Sequence, residues 1–132
     1  MEKNNTHLAG EFFVAAELFK RDFQVSMTLG NAKEVDLIIR TPKKKTLSIQ
    51  VKALQDKNCF TLAVNKVVPH DIYVFVFLYD DKNHPDYFIL TGSEILSDKK
   101  LYYGSSLNSS RQTINYGPLF KHKNRWDKLD LD

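Results

Sequence analysis

The chain has 132 residues, 42% of them hydrophobic and 27% charged, with a formal net charge of +3. That length suits one domain (residues 1–132) with one core, and so mild a positive balance permits a nucleic-acid partner without requiring one. Cys59 is the only cysteine, so an intramolecular disulfide is excluded; the first residues lack the charged-then-apolar layout of a secretory signal, and the longest apolar run, Ile72 to Tyr79, is far short of the roughly 20 residues of a membrane helix, which together predict a cytoplasmic location.

In chain order, Thr6 to Arg21 reads as a helix capped by Asn5 or Thr6, with Leu8, Phe12, Ala15, Ala16, Leu18 and Phe19 recurring every three or four residues as its inward face. Glu11 falls at the edge of that face, where a carboxylate either reaches solvent or requires a partner such as a metal, a lysine or a substrate. Phe23 to Leu29 alternates as a half-buried strand, and Gly30-Asn31 predicts a tight turn.

The stretch Glu34 to Lys52 then reads as a β-hairpin around Thr-Pro-Lys. Val35, Leu37 and Ile39 on the first strand and Leu47, Ile49 and Val51 on the second form apolar rows that share the core side, because a slip of one residue would bury a polar row. Asp36, Gln50 and Lys52 are left on the other face. A turn centred on Lys44 sets Asp36 opposite Lys52 and Ile38 opposite Gln50, so that a carboxylate, an amide oxygen and an ammonium converge.

Phe60 to Val64 is a weak strand after the loop Gln55 to Asn58, and Asn65 to His70 is a connection closed by Pro69. Ile72 to Tyr79 reads as a central strand covered on both faces, paired through a polar turn with Tyr87 to Leu90. Ser93 to Lys100 predicts a short helix capped by Thr91 or Ser93. Ser105 to Thr113 is a polar loop whose Arg111 is either a substrate-facing group or part of a surface connection. From Pro118 a closing helix is expected, with Trp126 docked and Lys121, Lys123 and Arg125 on its polar side, either solvated or facing nucleic acid. His7, His70, His84 and His122 show no zinc-ligand spacing, so no zinc site is expected.

Asp36 suits a hard divalent cation such as Mg²⁺ or Mn²⁺, Gln50 and the Val51 carbonyl can add oxygens, and Lys52 can position water or offset charge on a phosphate. Other acid-or-Gln-x-Lys triplets occur at Gln55, Asp80 and Asp98, but only Gln50-Val51-Lys52 lies on a predicted strand beside an Asp and after a helix with an inward Glu. Glu11, Asp36 and Gln50-Val51-Lys52 in this order resemble the PD-(D/E)XK nuclease superfamily, as seen in small stand-alone bacterial nuclease-like proteins and, more distantly, archaeal Holliday junction resolvases.

The resemblance implies an α/β (α+β) fold with a restriction-endonuclease-like αβββαβ core, in which a mixed central sheet is flanked by helices. It further implies Asp36 as central metal ligand, Gln50 at the second acidic position, Lys52 as the catalytic lysine and Glu11 as the helix-borne carboxylate. Val35 stands in place of the proline and Gln50 in place of Asp or Glu, the latter removing a charge and weakening metal binding. The expected function is Mg²⁺- or Mn²⁺-dependent DNA endonuclease activity by a homodimer, with Lys33, Lys66, Arg111, Lys121, Lys123 and Arg125 as nucleic-acid contacts. Two alternatives stand beside it: a nuclease-fold protein with weakened or lost catalysis that binds nucleic acid, and a protein-interaction domain in which Asp36 and Lys52 form a plain ion pair.

Overall fold

A computed structural model describes residues 2–28 and 35–130, so the expected Gly30-Asn31 turn lies outside the described residues. In chain order the elements are α1 (Lys3–Lys20), β1 (Gln24–Met27), β2 (Leu37–Arg40), β3 (Thr46–Leu54), β4 (Phe60–Thr61), β5 (Ile72–Phe77), β6 (Asp86–Thr91), α2 (Gly92–Ser97), α3 (Lys99–Tyr103) and β7 (Thr113–Ile114). The class is mixed α+β. One five-stranded sheet runs β1-β2-β3-β5-β6, antiparallel except for the parallel pair β3 and β5, and β4 with β7 forms a separate two-stranded sheet.

α1 begins at Lys3, three residues before the position expected, and Glu2 occupies its N-cap without a side-chain bond. It ends where Asp22 takes a left-handed conformation, φ 67°. There the Phe23 N–H reaches the Leu18 carbonyl and the Asp22 N–H reaches the Phe19 carbonyl, a closing motif whose flanking apolar pair, Leu18 and Phe23, joins the core.

The helix is rotated relative to the expected face. Gly10, Glu11, Val14, Ala15 and Leu18 are buried, whereas Phe12 and Phe19 are 59% and 57% exposed. Two apolar stripes compete on this helix, and the one containing Gly10 wins because it allows the closest approach to β3: a Cβ at Gly10 would stand 2.5 Å from that of Ala53. Leu18→Ala is therefore expected to cost about 2–5 kcal/mol and Phe19→Ala less than about 0.5 kcal/mol, measured by urea unfolding. Equal losses would contradict this placement.

Every residue of β5 is buried, as expected of its unbroken apolar run. Val74 and Val76 join Leu37, Ile39, Ile49 and Val51 under α1. Tyr73, Phe75 and Phe77 point the other way, into a cluster closed by Phe60, Tyr103, Ile114 and Leu119. No α-helix lies between β3 and β5. That crossover is made by β4 and a 3₁₀ turn, Val64–Lys66, because Phe60 and Leu62 are taken up by the second core and Pro69 follows closely.

After β6, Thr91 caps α2 in a reciprocal box with Glu94. The closing segment is not the expected helix but two 3₁₀ turns, Gly117–His122 and Trp126–Asp130. Between them Asn124 is left-handed, φ 56°, and donates its N–H to the Tyr87 carbonyl, while Lys123 bridges to Phe88, so the segment covers the open edge of β6. Trp126 is docked as expected, against the Tyr87 ring and beneath the Arg21 guanidinium. Among the described residues, no helix is long and apolar enough to cross a membrane.

Candidate functional site

The close crossing at Gly10 lowers the inner side of α1 onto β3, beside the residues that lead into β2. His7 and Glu11, four residues apart and hence on one face, arrive together, with His7 Nε2 2.7 Å from Glu11 Oε2 and 3.6 Å from Asp36 Oδ1. Glu11 is 1% and Asp36 8% exposed. One ligand atom from each of the three residues lies within 4.8 Å of the others, a spacing at which a single cation could be shared.

Asp36 reaches this place through an irregularity in the ladder. Ile49 is paired with Leu37, yet its carbonyl accepts the Asp36 N–H at 3.0 Å, so residues 36 and 37 face one residue of β3, as in a bulge. The bulge breaks the alternation that would have set Asp36 beside Ile38. Its carboxylate turns toward α1, and Oδ2 accepts the N–H of the peptide joining Gln50 to Val51 at 2.7 Å.

The register of the hairpin differs from expectation by two residues: Ile38 pairs with Ser48 rather than Gln50, and Asp36, at the bulge, faces Ile49 rather than Lys52. The turn is responsible. Lys44 adopts φ 67°, its N–H bonds to the Thr41 carbonyl, and the Thr41 hydroxyl accepts the Lys45 N–H, which tightens the loop around Lys43. A shift of two preserves the faces, so Leu37, Ile39, Leu47, Ile49 and Val51 stay on the core side, whereas Val35, beyond the bulge, lines the cleft on the opposite face with Gln50 and Lys52.

Gln50 and Lys52 line a cleft of about 750 Å³ on the other face of β3, together with Lys66, His70 and Asp71. The Gln50 amide nitrogen donates to Asp71 Oδ2 at 3.0 Å and to Tyr73 Oη at 3.2 Å. Tyr73 Oη also accepts the Val68 N–H. Burial pushes the Tyr73 phenol above its ordinary range and the Asp71 charge adds to this, against the opposing bonds from Val68 and Gln50.

Glu11 and Asp36 thus meet on one face of β3, and Gln50 and Lys52 share a cleft on the other. The two groups come closest at the peptide joining Gln50 to Val51, whose N–H Asp36 accepts; the Val51 carbonyl, the remaining expected metal contact, belongs to the next peptide along β3. His7, Asp71 and Tyr73 are additions that sequence reasoning missed. Periodicity sets His7 near a helix end, but α1 begins at Lys3, and the four-residue spacing to Glu11 is the signal that could have found it.

Of the expected nucleic-acid contacts, Lys66 lines the cleft and Lys33 lies outside the described residues. Arg111 donates to Thr61 Oγ1 at 3.3 Å. Lys123 is paired with Asp86 at 3.1 Å and Arg125 makes a two-point bond to Asp127, whereas Lys121 is exposed. Cys59 is half-buried, with its thiol 3.4 Å from Asn115 Oδ1.

Comparison with protein-family models, with curated proteins and with solved structures finds no match to this chain.

Proposed function

We propose that the chain is a divalent-metal-dependent endonuclease that hydrolyses DNA phosphodiester bonds, with a restriction-endonuclease-like core and two copies acting together on a duplex. The observation that carries this reading is the meeting of Asp36 with Glu11 on one face of β3, with Asp36 bonded to the Val51 N–H of the same strand whose other face lines a cleft with Lys52. The order of a helix, three antiparallel strands and a fourth parallel to the third also supports it. Two carboxylates and an imidazole are a donor set that fits Mn²⁺, and the carboxylates alone fit Mg²⁺.

Asp36 and Glu11 would hold the ion, with His7 beside them. The ion, when bound, lowers the pKa of a water and withdraws charge from a phosphate. Asp36 is held for this by the Val51 N–H, which fixes one oxygen and leaves the other directed at His7 and Glu11. Lys52 would place its ammonium against the charge that grows on the phosphate, and Lys66 would hold the neighbouring backbone.

A second reading, a nuclease-fold protein that binds nucleic acid without cutting it, is favoured by one observation: the His7 ring lies against both carboxylates and would satisfy them without a metal. Duplex, branched and single-stranded DNA incubated with Mn²⁺ or Mg²⁺ separates the two. The nuclease reading expects cleavage that falls about 10²–10³-fold in Lys52→Ala. Cleavage undiminished by that change would sink it, and salt-sensitive binding without cleavage would establish the second reading.

A further inference from the structure

The outward side of α1 carries a row of exposed apolar side chains. Leu8, Phe12 and Phe19 are 39%, 59% and 57% exposed, Phe13 beside them is 45% exposed, and Ala16 completes the row. Between Asn5 and Phe19 the helix carries two carboxylates, and neither is on this side. Glu11 is buried beneath the helix, and Glu17 is half-buried and paired with Lys20 and Arg21. A surface helix turns its charged residues to water, whereas one that is apolar on every side is enclosed on every side.

A groove of about 570 Å³ runs beside this row, walled by Ala9, Phe13, Leu78, Tyr79 and Pro85 and rimmed by polar residues of the turn after Tyr79. Protruding rings and a groove to receive them thus lie along one helix. A two-fold interface requires this, because the same patch serves both partners and residue i meets j while j meets i. Set antiparallel about an axis between Phe12 and Phe13, two copies of α1 bring Ala9 against Ala16 and Phe12 against Phe13, each contact made twice. The alanines let the backbones approach, and each Phe12 is directed at the groove beside the other copy's Phe13. Asn5 meets Lys20 at either end, so no like charges are brought together.

The size of the face is that of a dimer contact. At roughly 200 Å² for a phenylalanine, the exposed parts of the three rings leave about 300 Å² of apolar surface in water. Leu8, the two alanines and the groove walls bring this near the ~450 Å² of apolar surface that each partner gives to an interface of standard size. Lipid is a poorer fit, since a membrane-surface helix flanks its apolar side with lysine and arginine, and of the basic residues of α1 only Lys20 borders this one.

We infer that the outward face of α1 is the surface through which two copies of this chain join, with Phe12 as its central anchor. Phe19 closes the rim, where truncation costs little. His7 and Glu11 lie on the other side of the helix, so the contact leaves the candidate metal cluster clear, and the pairing is expected whether or not the chain cuts DNA.

Sedimentation of the full chain over a range of concentrations tests it. The unaltered chain is expected at twice the mass of one chain. Phe12→Asp is expected to weaken self-association at least about 30-fold, the scale for losing a central aromatic anchor, with circular dichroism showing the fold retained. Leu101→Asp, at an exposed apolar residue of α3, is expected to leave the dimer intact. Where Phe12→Asp fails to fold, cross-linking decides: in a Cys59→Ser background, chains carrying Ala9→Cys and chains carrying Ala16→Cys are expected to join to each other faster than either joins to itself. A chain that sediments as a monomer throughout, whether or not it binds anionic vesicles through Phe12, would overturn the inference. So would a dimer that Phe12→Asp leaves intact, or Ala9→Cys chains that link to themselves as readily as to Ala16→Cys chains.

Discussion

Asp36→Ala is expected to lower metal-dependent DNA cleavage by at least about 10³-fold, the upper scale for losing one group that stabilises charge in the transition state. It should also destabilise the fold by about 1–3 kcal/mol, because the buried Val51 N–H loses its acceptor. The two effects can be separated. Asp36→Asn retains an oxygen that can accept from Val51, so it is expected to keep most of the stability while losing most of the cleavage. Cleavage rates in Mn²⁺ and urea unfolding of both variants check this, and cleavage preserved in Asp36→Asn would show that the carboxylate charge is not used.

Lys128→Met is expected to cost about 3 kcal/mol at neutral pH, the scale for breaking a buried charge pair by removing one partner. The Lys128 ammonium, 10% exposed, donates to both oxygens of Glu94, to the Ile89 carbonyl and to His122 Nδ1, tying the last 3₁₀ turn to β6 and α2. Removing one partner from such a knot leaves the others wanting, although the partial exposure of Glu94 softens the loss. Because Lys128 donates to Nδ1, His122 is neutral and its Nε2–H is given to Tyr102 at 2.8 Å.

Burial and the Lys128 charge press the His122 pKa down to about 4, with Glu94 opposing. Burial would raise the Glu94 carboxyl, but its bond with the Thr91 backbone and the Lys128 ammonium hold it below its ordinary value. Both groups act in one direction. An unfolded His122 takes up a proton near pH 6.5 and the folded one refuses it until about pH 4, so stability is full above pH 6.5 and falls by roughly 2–3 kcal/mol as pH drops through that window. Glu94 extends the loss below its ordinary range. Without the Lys128 charge the histidine can be protonated beside Glu94, so Lys128→Met should flatten this acid limb. Unfolding curves at several pH values check the slope, and an unchanged limb would contradict the assignment.

Much of this architecture is legible in the residues themselves. The unbroken apolar run of β5 declares burial on both faces, and the Thr91–Glu94 pair marks the start of α2. The alternation in the hairpin separates apolar from polar rows correctly from Leu37 to Val51, and fails at Val35 and Asp36, where the bulge exchanges the two faces. What escapes is decided by contacts between elements or by single backbone angles. The inward face of α1 depends on a glycine meeting Ala53 across two elements, which periodicity does not record. The register depends on a left-handed Lys44, a conformation a lysine gives no warning of.

The same limit governs the site. Asp36, placed by alternation on the face of Gln50 and Lys52, is carried to α1 by the bulge at Ile49, and only then does it meet His7 and Glu11. Asp71 escapes because nothing local distinguishes it from a turn residue; the side chain that bonds to it, Gln50, lies twenty-one positions earlier in the chain. The closing segment follows a similar rule, since its pairing along β6 outweighs the helical spacing of its apolar residues.

The central claim is that Asp36 and Glu11 hold a divalent cation. Anomalous scattering from crystals soaked in Mn²⁺ tests it most directly. The expected result is a single strong peak in contact with the Asp36 and Glu11 carboxylates, with His7 displaced from between them or bound to the ion. A map with no peak there, and His7 still against both carboxylates, would contradict it.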